Sequence, residues 1–275
     1  MALSLRFVGC GDAFGTGGRA HTCFHLTDGV RQVLVDCGAS AVPALKRHHI
    51  AAADLDLIVL SHLHGDHFGG VPFLLLDATF GVPRTRPLTI VGPPGTEARV
   101  VDTIELLFPG AAARVRERVS PRFIEYPVGR LSRLRLDDRG VEIEPVQARR
   151  WWQGREARIS STDAMDLLAV EVVHPSGAPS CALRLEWQQR VFAYSGDTAW
   201  TEALITVANG ADLFVCECYA YDKAVPFHLN YCTMVERLAD LAPRRIILTH
   251  LGTDMLAHRS RVSLECAEDG QLVTF

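Results

Sequence analysis

Residues 57–67 read LIVLSHLHGDH, an apolar run followed at once by three histidines and one aspartate. The apolar run is typical of a short buried strand. In an extended chain after this strand, His62 and His64 would point to the same side, because side chains alternate. Gly65 would allow a sharp turn that brings the next two residues round to an adjacent point. Imidazole and carboxylate groups are ligands of Zn²⁺ and similar divalent metals, so this stretch predicts a metal site at a strand end.

Other candidate ligands also follow predicted strands. His174 and His250 come directly after strand-like runs at 168–173 and 245–249, and Asp197 follows the run at 191–194 by three positions. Each residue alone could be a cap or a buried polar group. Because all of them lie at carboxyl ends of strands, together with the first motif they indicate one site. Asp36, at the end of another strand, is expected either to orient a ligand histidine or to serve as a turn carboxylate.

Strand-like runs alternate with helix-length segments along most of the chain. This alternation predicts two sheets between outer helices, folded as a single domain over residues 1–275. The stretch 109–166 shows little periodicity and is expected to be an irregular insertion. From Arg114 to Arg158 it holds 12 arginines against 7 acidic residues, whereas the whole chain has a net charge of −4. Such a basic segment could contact an anionic substrate or be a solvated surface insertion.

The composition excludes several classes of protein. With 48% hydrophobic and 22% charged residues, the chain is neither disordered nor collagenous. No uncharged apolar stretch reaches the roughly 18–20 residues that a membrane span needs, so no membrane partner is expected. The first residues lack the pattern of a signal peptide, and we expect a cytoplasmic protein. The eight cysteines form no CxxC pair and are expected to be free, buried thiols.

The sequence resembles the metallo-β-lactamase superfamily, from the glycine-rich stretch GCGDAF at 9–14 to Thr249-His250. The resemblance implies an α/β fold, a four-layered αββα sandwich, with a two-metal site. Carried over residue by residue, it implies one metal held by His62, His64 and His174, another held by Asp66, His67 and His250, and Asp197 as the bridge. We expect two divalent ions, Zn²⁺ in the first place, with Mn²⁺ or iron as alternatives.

Within the superfamily the chain is most similar to the ribonuclease Z and phosphodiesterase branch. The shared features are VHPS at 173–176, ALRL at 182–185, the acidic Glu217, and His228 in the stretch PFHLN. In that branch the extra histidine faces the substrate phosphate instead of a metal. The resemblance therefore implies Asp66, Glu217 and His228 as catalytic residues, with a metal-bridging hydroxide as the nucleophile. His228, oriented by Glu217, would protonate the leaving oxygen or stabilise developing charge.

The chain departs from ribonuclease Z in one respect. The tRNA-processing enzymes insert a protruding arm between the third histidine ligand and the bridging aspartate, but here His174 and Asp197 are only 23 positions apart. We therefore expect a dinuclear phosphodiesterase that acts on a small-molecule or short single-stranded anionic substrate. The alternatives are a lactonase or carboxylic ester hydrolase, a ribonuclease Z-like tRNA 3′ endonuclease, and a non-enzymatic, metal-stabilised regulatory protein. Residues 149–152, RRWW, could fold over the site as a lid, and a homodimer is a further expectation.

Overall fold

The computed structural model describes residues 3–81, 84, 86–137, 140–146 and 163–275. These residues form two mixed β-sheets packed face to face, with helices on the outer face of each sheet. The predicted four-layered αββα sandwich is confirmed. Phe7, Phe24 and Tyr194 pack edge to face between the sheets, with ring centroids 5.1–5.3 Å apart.

The first sheet has the strand order β15-β1-β2-β3-β4-β5-β6. Its strands are β1 (Ser4–Gly9), β2 (Cys23–Thr27), β3 (Gln32–Val35), β4 (Leu57–Val59), β5 (Thr89–Gly92), β6 (Arg122–Glu125) and β15 (Leu272–Thr274). The pairs β1–β2 and β2–β3 are antiparallel, whereas β3 to β6 run parallel. The parallel strands therefore end at the same edge of the sheet.

The second sheet has the order β14-β13-β12-β11-β10-β9-β7-β8. Its strands are β7 (Leu131–Asp137), β8 (Gly140–Pro145), β9 (Ala164–Glu171), β10 (Cys181–Trp187), β11 (Arg190–Tyr194), β12 (Leu213–Glu217), β13 (Ile246–Thr249) and β14 (Glu265–Cys266). Strands β11 to β14 run parallel to one another. This sheet thus also has a parallel half whose carboxyl ends lie together.

Helices bury both outer faces of the sandwich. The first sheet is covered by α1 (Ala41–Arg47), α3 (Val71–Phe80), α4 (Thr96–Leu107) and α5 (Ala111–Arg118), with the short α2 (Gly65–Phe68) before α3. The second is covered by α6 (Ala203–Ala208), α7 (Tyr231–Glu236), α8 (Leu238–Leu241) and α9 (Thr253–Ala257). In β4, Leu57 and Val59 face the other sheet while Ile58 faces the helices. Burial on both faces explains why such strands read as continuous apolar runs.

The segment 109–166 differs from the sequence-based expectation. Its described residues form α5, β6, β7, β8 and the start of β9, so the prediction of an irregular insertion is wrong there. Arginines on the outer face of β7 hid the strand pattern. Leu134 and Leu136 are buried between the sheets, while Arg133 pairs with Asp166 of the neighbouring β9 at 2.8 Å. Part of the basic charge is therefore neutralised by cross-strand ion pairs.

The stretch 147–162, which includes the RRWW sequence considered as a lid, lies outside the described residues. The lid and the single-domain organisation stay predictions. All eight cysteines are free thiols, as expected, and seven of them are buried. Over the described ranges, every helix is too short or too polar to traverse a lipid bilayer.

Candidate metal centre

The seven predicted ligands converge at the edge of the sandwich where the parallel strands of both sheets end. The first sheet supplies His62 and His64 after β4, and α2 supplies two more ligands. The second sheet supplies the others, in the loops after β9, β11 and β13. Polar residues gather at this edge because loops at the carboxyl ends of neighbouring parallel strands open into one crevice.

Asp197 lies at the centre of the cluster. Its Oδ2 atom is 3.2 Å from Nε2 of His67, 3.3 Å from Nε2 of His250, 3.9 Å from Nε2 of His62 and 4.0 Å from Nε2 of His174. One carboxylate oxygen thus contacts or approaches four imidazoles from both sheets. This is the position that a ligand shared between two metal ions requires.

The potential ligand atoms fall into groups small enough to hold an ion, with all atoms of a group within 4.8 Å of one another. The first two groups are His62, His64 and His174, and Asp66, His67, Asp197 and His250. A third group overlaps with them and consists of His174, Asp197 and His228. The first two groups together contain all seven residues that the sequence predicts as ligands.

Unpaired polar atoms in this cluster test whether the residues fit a metal. Among the described residues, Nε2 of His62 and Oδ1 of Asp197 are buried and have no hydrogen-bond partner, and Nε2 of His67 faces the carboxylates of Asp66 and Asp197 at 3.2 Å. A buried polar atom without a partner costs about 1–3 kcal/mol, so a cluster of them is unfavourable unless something binds there. Nitrogen and oxygen donors in this arrangement suit a divalent cation. The His/Asp cluster therefore fits divalent metal ions.

The pKa directions of His62 and Asp197 suit metal binding, whereas at His67 the charges of Asp197, Asp66 and Asp36 outweigh burial and hold the pKa well above its ordinary value. Burial lowers the pKa of His62 well below its usual range, and the neighbouring His67 lowers it further. Burial alone would raise the pKa of Asp197, but His250 and His67 outweigh this effect and hold that pKa well below its ordinary value. A neutral imidazole and an ionised carboxylate are the forms that coordinate metals.

Asp36 makes the contact predicted for it. Its Oδ2 accepts a hydrogen bond from Nδ1 of His67 at 2.7 Å. Ser61 donates two more at 2.7 Å, from Oγ to Oδ2 and from its backbone N–H to Oδ1. Asp36 is completely buried directly after β3. With Nδ1 of His67 engaged in this way, Nε2 is left to face the cluster. Such partners fix the ring orientation and raise the basicity of a ligand histidine.

We therefore expect Asp36→Asn to weaken metal binding by about 10- to 100-fold, the usual effect of removing a carboxylate behind a ligand histidine. Asparagine keeps the size of the side chain and removes its charge. The apparent metal affinity can be measured by competition with a chromophoric chelator. The matched control is Asp166→Asn, since Asp166 is also buried but pairs with an arginine on the sheet. Equal affinities for wild type and Asp36→Asn would contradict this role.

His228 and Glu217 form a pair beside the cluster. Nδ1 of His228 lies 3.1 Å from Oε1 of Glu217, which is completely buried and also accepts a hydrogen bond from the backbone N–H of Thr198 at 2.5 Å. Burial alone would lower the pKa of His228, but the hydrogen bond and charge of Glu217 raise it overall. The imidazole is thus held by its Nδ1 side, and Nε2 is left for another partner.

The turn between His64 and His67 differs from the one expected. Gly65 begins α2, and a Cβ added there would meet open space, so this turn does not require glycine. The helical turn itself directs Asp66 and His67 towards the cluster, since the N–H of His67 donates to the carbonyl of His64 at 2.9 Å. Glycine is required at Gly38 instead, where a Cβ would lie 2.1 Å from the carbonyl oxygen of Asp66.

Sequence reasoning assigned no role to two aromatic residues at the site. The carbonyl of Phe227 lies 3.1 Å from Nδ1 of His174 and accepts a hydrogen bond from it. The centroid of the Tyr219 ring lies 4.9 Å from the centroid of the His228 ring. In the sequence, the one indication of a role for these aromatic residues is that they lie close to Glu217 and His228.

Comparisons with known proteins identify the family and the fold. The family described as beta-lactamase superfamily domain matches residues 31–251. A ribonuclease Z of Halorubrum lacusprofundi is 28% identical, covering 98% of this chain and 94% of that protein. The crystal structure of the short form of human tRNase Z has a TM-score of 0.69 at 22% identity and covers 98% of both chains. A diphosphatase from the PhnP family has a TM-score of 0.66 at 16% identity, covering 99% of this chain and 98% of that one.

Proposed function

The chain belongs to the beta-lactamase superfamily, and we propose that within it the protein acts as a dinuclear metal-dependent phosphodiesterase. The observation that carries the proposal is a set of seven clustered His and Asp residues next to a His–Glu pair whose glutamate is buried. The cluster provides the metal ligands that a metal-dependent hydrolase requires. The pair adds a proton donor where a leaving group would need one, which favours phosphodiesters among the substrates.

In this proposal the ligands divide between two ions. His62, His64 and His174 would hold one ion, Asp66, His67 and His250 the other, and Asp197 would bridge them. The contacts of Asp197 Oδ2 with imidazoles from both groups, at 3.2–4.0 Å, support this division. Zinc is the metal we propose, because histidine nitrogen with carboxylate oxygen suits it, and Mn²⁺ or iron are the alternatives.

The reaction would break one ester P–O bond of a phosphodiester while an oxygen from water forms a new bond to phosphorus. Two bound divalent ions supply a water of lowered pKa and polarise a phosphoryl oxygen. His228 would give the proton on Nε2 to the leaving oxygen, and Glu217 would keep the ring oriented through Nδ1. Asp66, whose Oδ2 lies 3.2 Å from Nε2 of His67, would serve catalysis as a ligand.

The substrate we propose is a small diester or a short single strand. The chain between His174 and Asp197 is fully described and consists of a hairpin of β10 and β11, joined at residues 188–189. No protruding arm is present in this part of the chain. Folded RNA is bound mainly through phosphate contacts on extended basic surfaces, which such a hairpin does not provide. The cytoplasmic location and the homodimer remain predictions beside this proposal.

A tRNA 3′ endonuclease is the second candidate, favoured by the relative named ribonuclease Z. A substrate panel separates the candidates. For the zinc-loaded protein we expect efficient hydrolysis of bis-p-nitrophenyl phosphate and of short RNA single strands. We expect kcat/KM for precursor tRNA to be at least about tenfold lower, since each roughly 1.4 kcal/mol of missing binding energy costs a factor of ten.

The panel includes a short single strand with the sequence of the tRNA 3′ trailer as the matched control. Efficient cleavage of precursor tRNA at its 3′ end would favour the endonuclease over our proposal. Hydrolysis of lactones or carboxylic esters in preference to diesters would favour an ester hydrolase. A fully metal-loaded protein inactive on every substrate class would favour a non-enzymatic role.

A further inference from the structure

Two aromatic residues adjoin His228 beside the metal centre, Phe227 in the chain and Tyr219 through a ring contact. Phe227 precedes His228 in the chain and is 47% exposed, and Tyr219 stacks beside it with partial exposure. Large apolar side chains are usually buried, and those exposed at a site are often binding surfaces. The two rings are therefore candidates for contact with the substrate.

The backbone of Phe227 has an unusual conformation and is held beside the metal centre. Its φ of 65° lies in the left-handed region, which glycine adopts readily and a bulky residue such as phenylalanine rarely does. The carbonyl of Phe227 is held by Nδ1 of His174 at 3.1 Å, and the N–H of His228 donates to the carbonyl of Val225 at 3.2 Å. Because glycine would satisfy this turn more easily, a phenyl ring here has a role other than shaping the backbone.

Tyr219 is also held in place. Its ring is tilted by 32° to that of His228 and its centroid is 6.1 Å from that of His250. Gly252 packs tightly against it, since a Cβ added at that glycine would lie 3.0 Å from two ring carbons and 2.7 Å from the carbonyl oxygen of Tyr219. The tyrosine thus presents a fixed flat surface beside the histidine.

We infer that Phe227 and Tyr219 form a subsite for a flat aromatic group joined to the scissile phosphate, with a nucleobase as the expected group. The inference rests on the proposed phosphodiesterase function and names the substrates that this site would prefer. Aromatic side chains stack on nucleobases of any sequence, because every base presents a π-face. Because Phe227 precedes His228 in the chain and the Tyr219 ring lies 4.9 Å from the His228 ring, a base stacked on either residue would lie near the histidine proposed to act on the leaving group.

Three chromogenic diesters test the inference: the p-nitrophenyl phosphates of methanol, phenol and thymidine 5′-hydroxyl. All release p-nitrophenol, so their chemistry is matched and only the second ester group differs. We expect kcat/KM to be higher for the phenyl and thymidyl diesters than for the methyl diester. In Phe227→Leu and Tyr219→Leu the thymidyl-to-methyl ratio should fall about tenfold, within the range measured for single base–aromatic contacts. If the thymidyl-to-methyl ratio of kcat/KM exceeds the phenyl-to-methyl ratio, the subsite is assigned to a nucleobase. If the two ratios are equal, the subsite accepts any flat ring.

Two further variants separate stacking from packing. Tyr219→Phe keeps the ring and should retain the wild-type ratio. Phe80→Leu changes a ring that is 56% exposed on α3, outside the site, and serves as the matched control. If Phe227→Leu and Tyr219→Leu lower kcat/KM equally for all three diesters, the residues only position His174 or His228 and the inference is overturned.

A binding measurement decides the matter without turnover. A 2-aminopurine nucleotide loses fluorescence on stacking, and we expect the zinc-loaded protein to quench it, with a Kd about tenfold weaker in Phe227→Leu. Absence of quenching with the wild type would overturn the subsite. Quenching that depends on Phe227, in a protein that hydrolyses none of the diesters, would support the subsite and refute the phosphodiesterase function.

Discussion

Asp197→Ala is expected to remove bound metal and hydrolytic activity together. The Oδ2 atom of Asp197 lies within 3.2–4.0 Å of four imidazole nitrogens, so its loss affects both proposed ion sites at once. We expect the metal content to fall from about two ions per chain to one or none. Activity should fall by about 10²–10³-fold or more, the scale on which one preorganised electrostatic group contributes to catalysis. Elemental analysis of gel-filtered protein and assays of the same samples give the two quantities.

Asp102→Ala is the matched control, because Asp102 is an exposed aspartate on α4 far along the chain from any ligand. It should keep both the metal and the activity. Zinc should also raise the thermal stability of wild type, since a ligand that binds only the folded state stabilises it. An Asp197→Ala variant that retains two metals per chain would show that this residue is not the bridge. Wild type that holds no metal and gains no stability from zinc would refute the metal centre itself.

The clustered residues could be found from sequence because five of the seven follow strands that are largely buried. In β4, for example, every residue is buried, so the strand appears as a plain apolar run and the histidines after it mark its carboxyl end. The same pattern marks Asp197 after β11 and His250 after β13. Clustering then follows from parallel strands ending at one edge.

The elements that sequence reasoning missed are those whose pattern is weak or distant. In β7, arginines alternate with core leucines, and their charge suggested a solvated segment instead of a strand. Strand β15 has only three residues and exists because it pairs with β1 at the other end of the chain. A pattern of three residues is too short to indicate alternation, and the pairing partner is about 270 positions away. Tertiary contacts, which a single sequence does not display, stabilise both elements.

The surroundings of His228 were predictable only in part. Its pairing with Glu217 follows from the resemblance, and the structure places the two side chains within 3.1 Å. The left-handed turn at Phe227 could not be foreseen, because phenylalanine disfavours that conformation and the sequence contains no glycine to announce it. That turn brings the Phe227 carbonyl to His174 and so joins the His228 loop to the ligand cluster.

His228→Ala should retain both metals while lowering kcat for phosphodiesters by about 10²–10⁴-fold, the range for a general acid–base group. Nδ1 of His228 is held by Glu217, so the ring is oriented by a buried carboxylate and needs no metal for its position. Ester or lactone hydrolysis, where tested, should fall much less, because this proton donor is proposed for the phosphodiester leaving group. Metal analysis and kcat on a short RNA strand, whose alkoxide leaving group needs a proton, are the two measurements.

The control His258→Ala removes a partly exposed histidine that follows α9 and should change neither quantity. The three outcomes for His228→Ala assign three different roles. Loss of kcat with full metal content makes it the proton donor. Equal losses on diesters and esters make it a general structural element of the site. Loss of a metal ion would show that His228 is itself a metal ligand. The group of His174, Asp197 and His228 would then be part of the metal centre. Metal content therefore has to be measured on the same preparation as kcat, since only the pair of values separates a proton donor from a ligand.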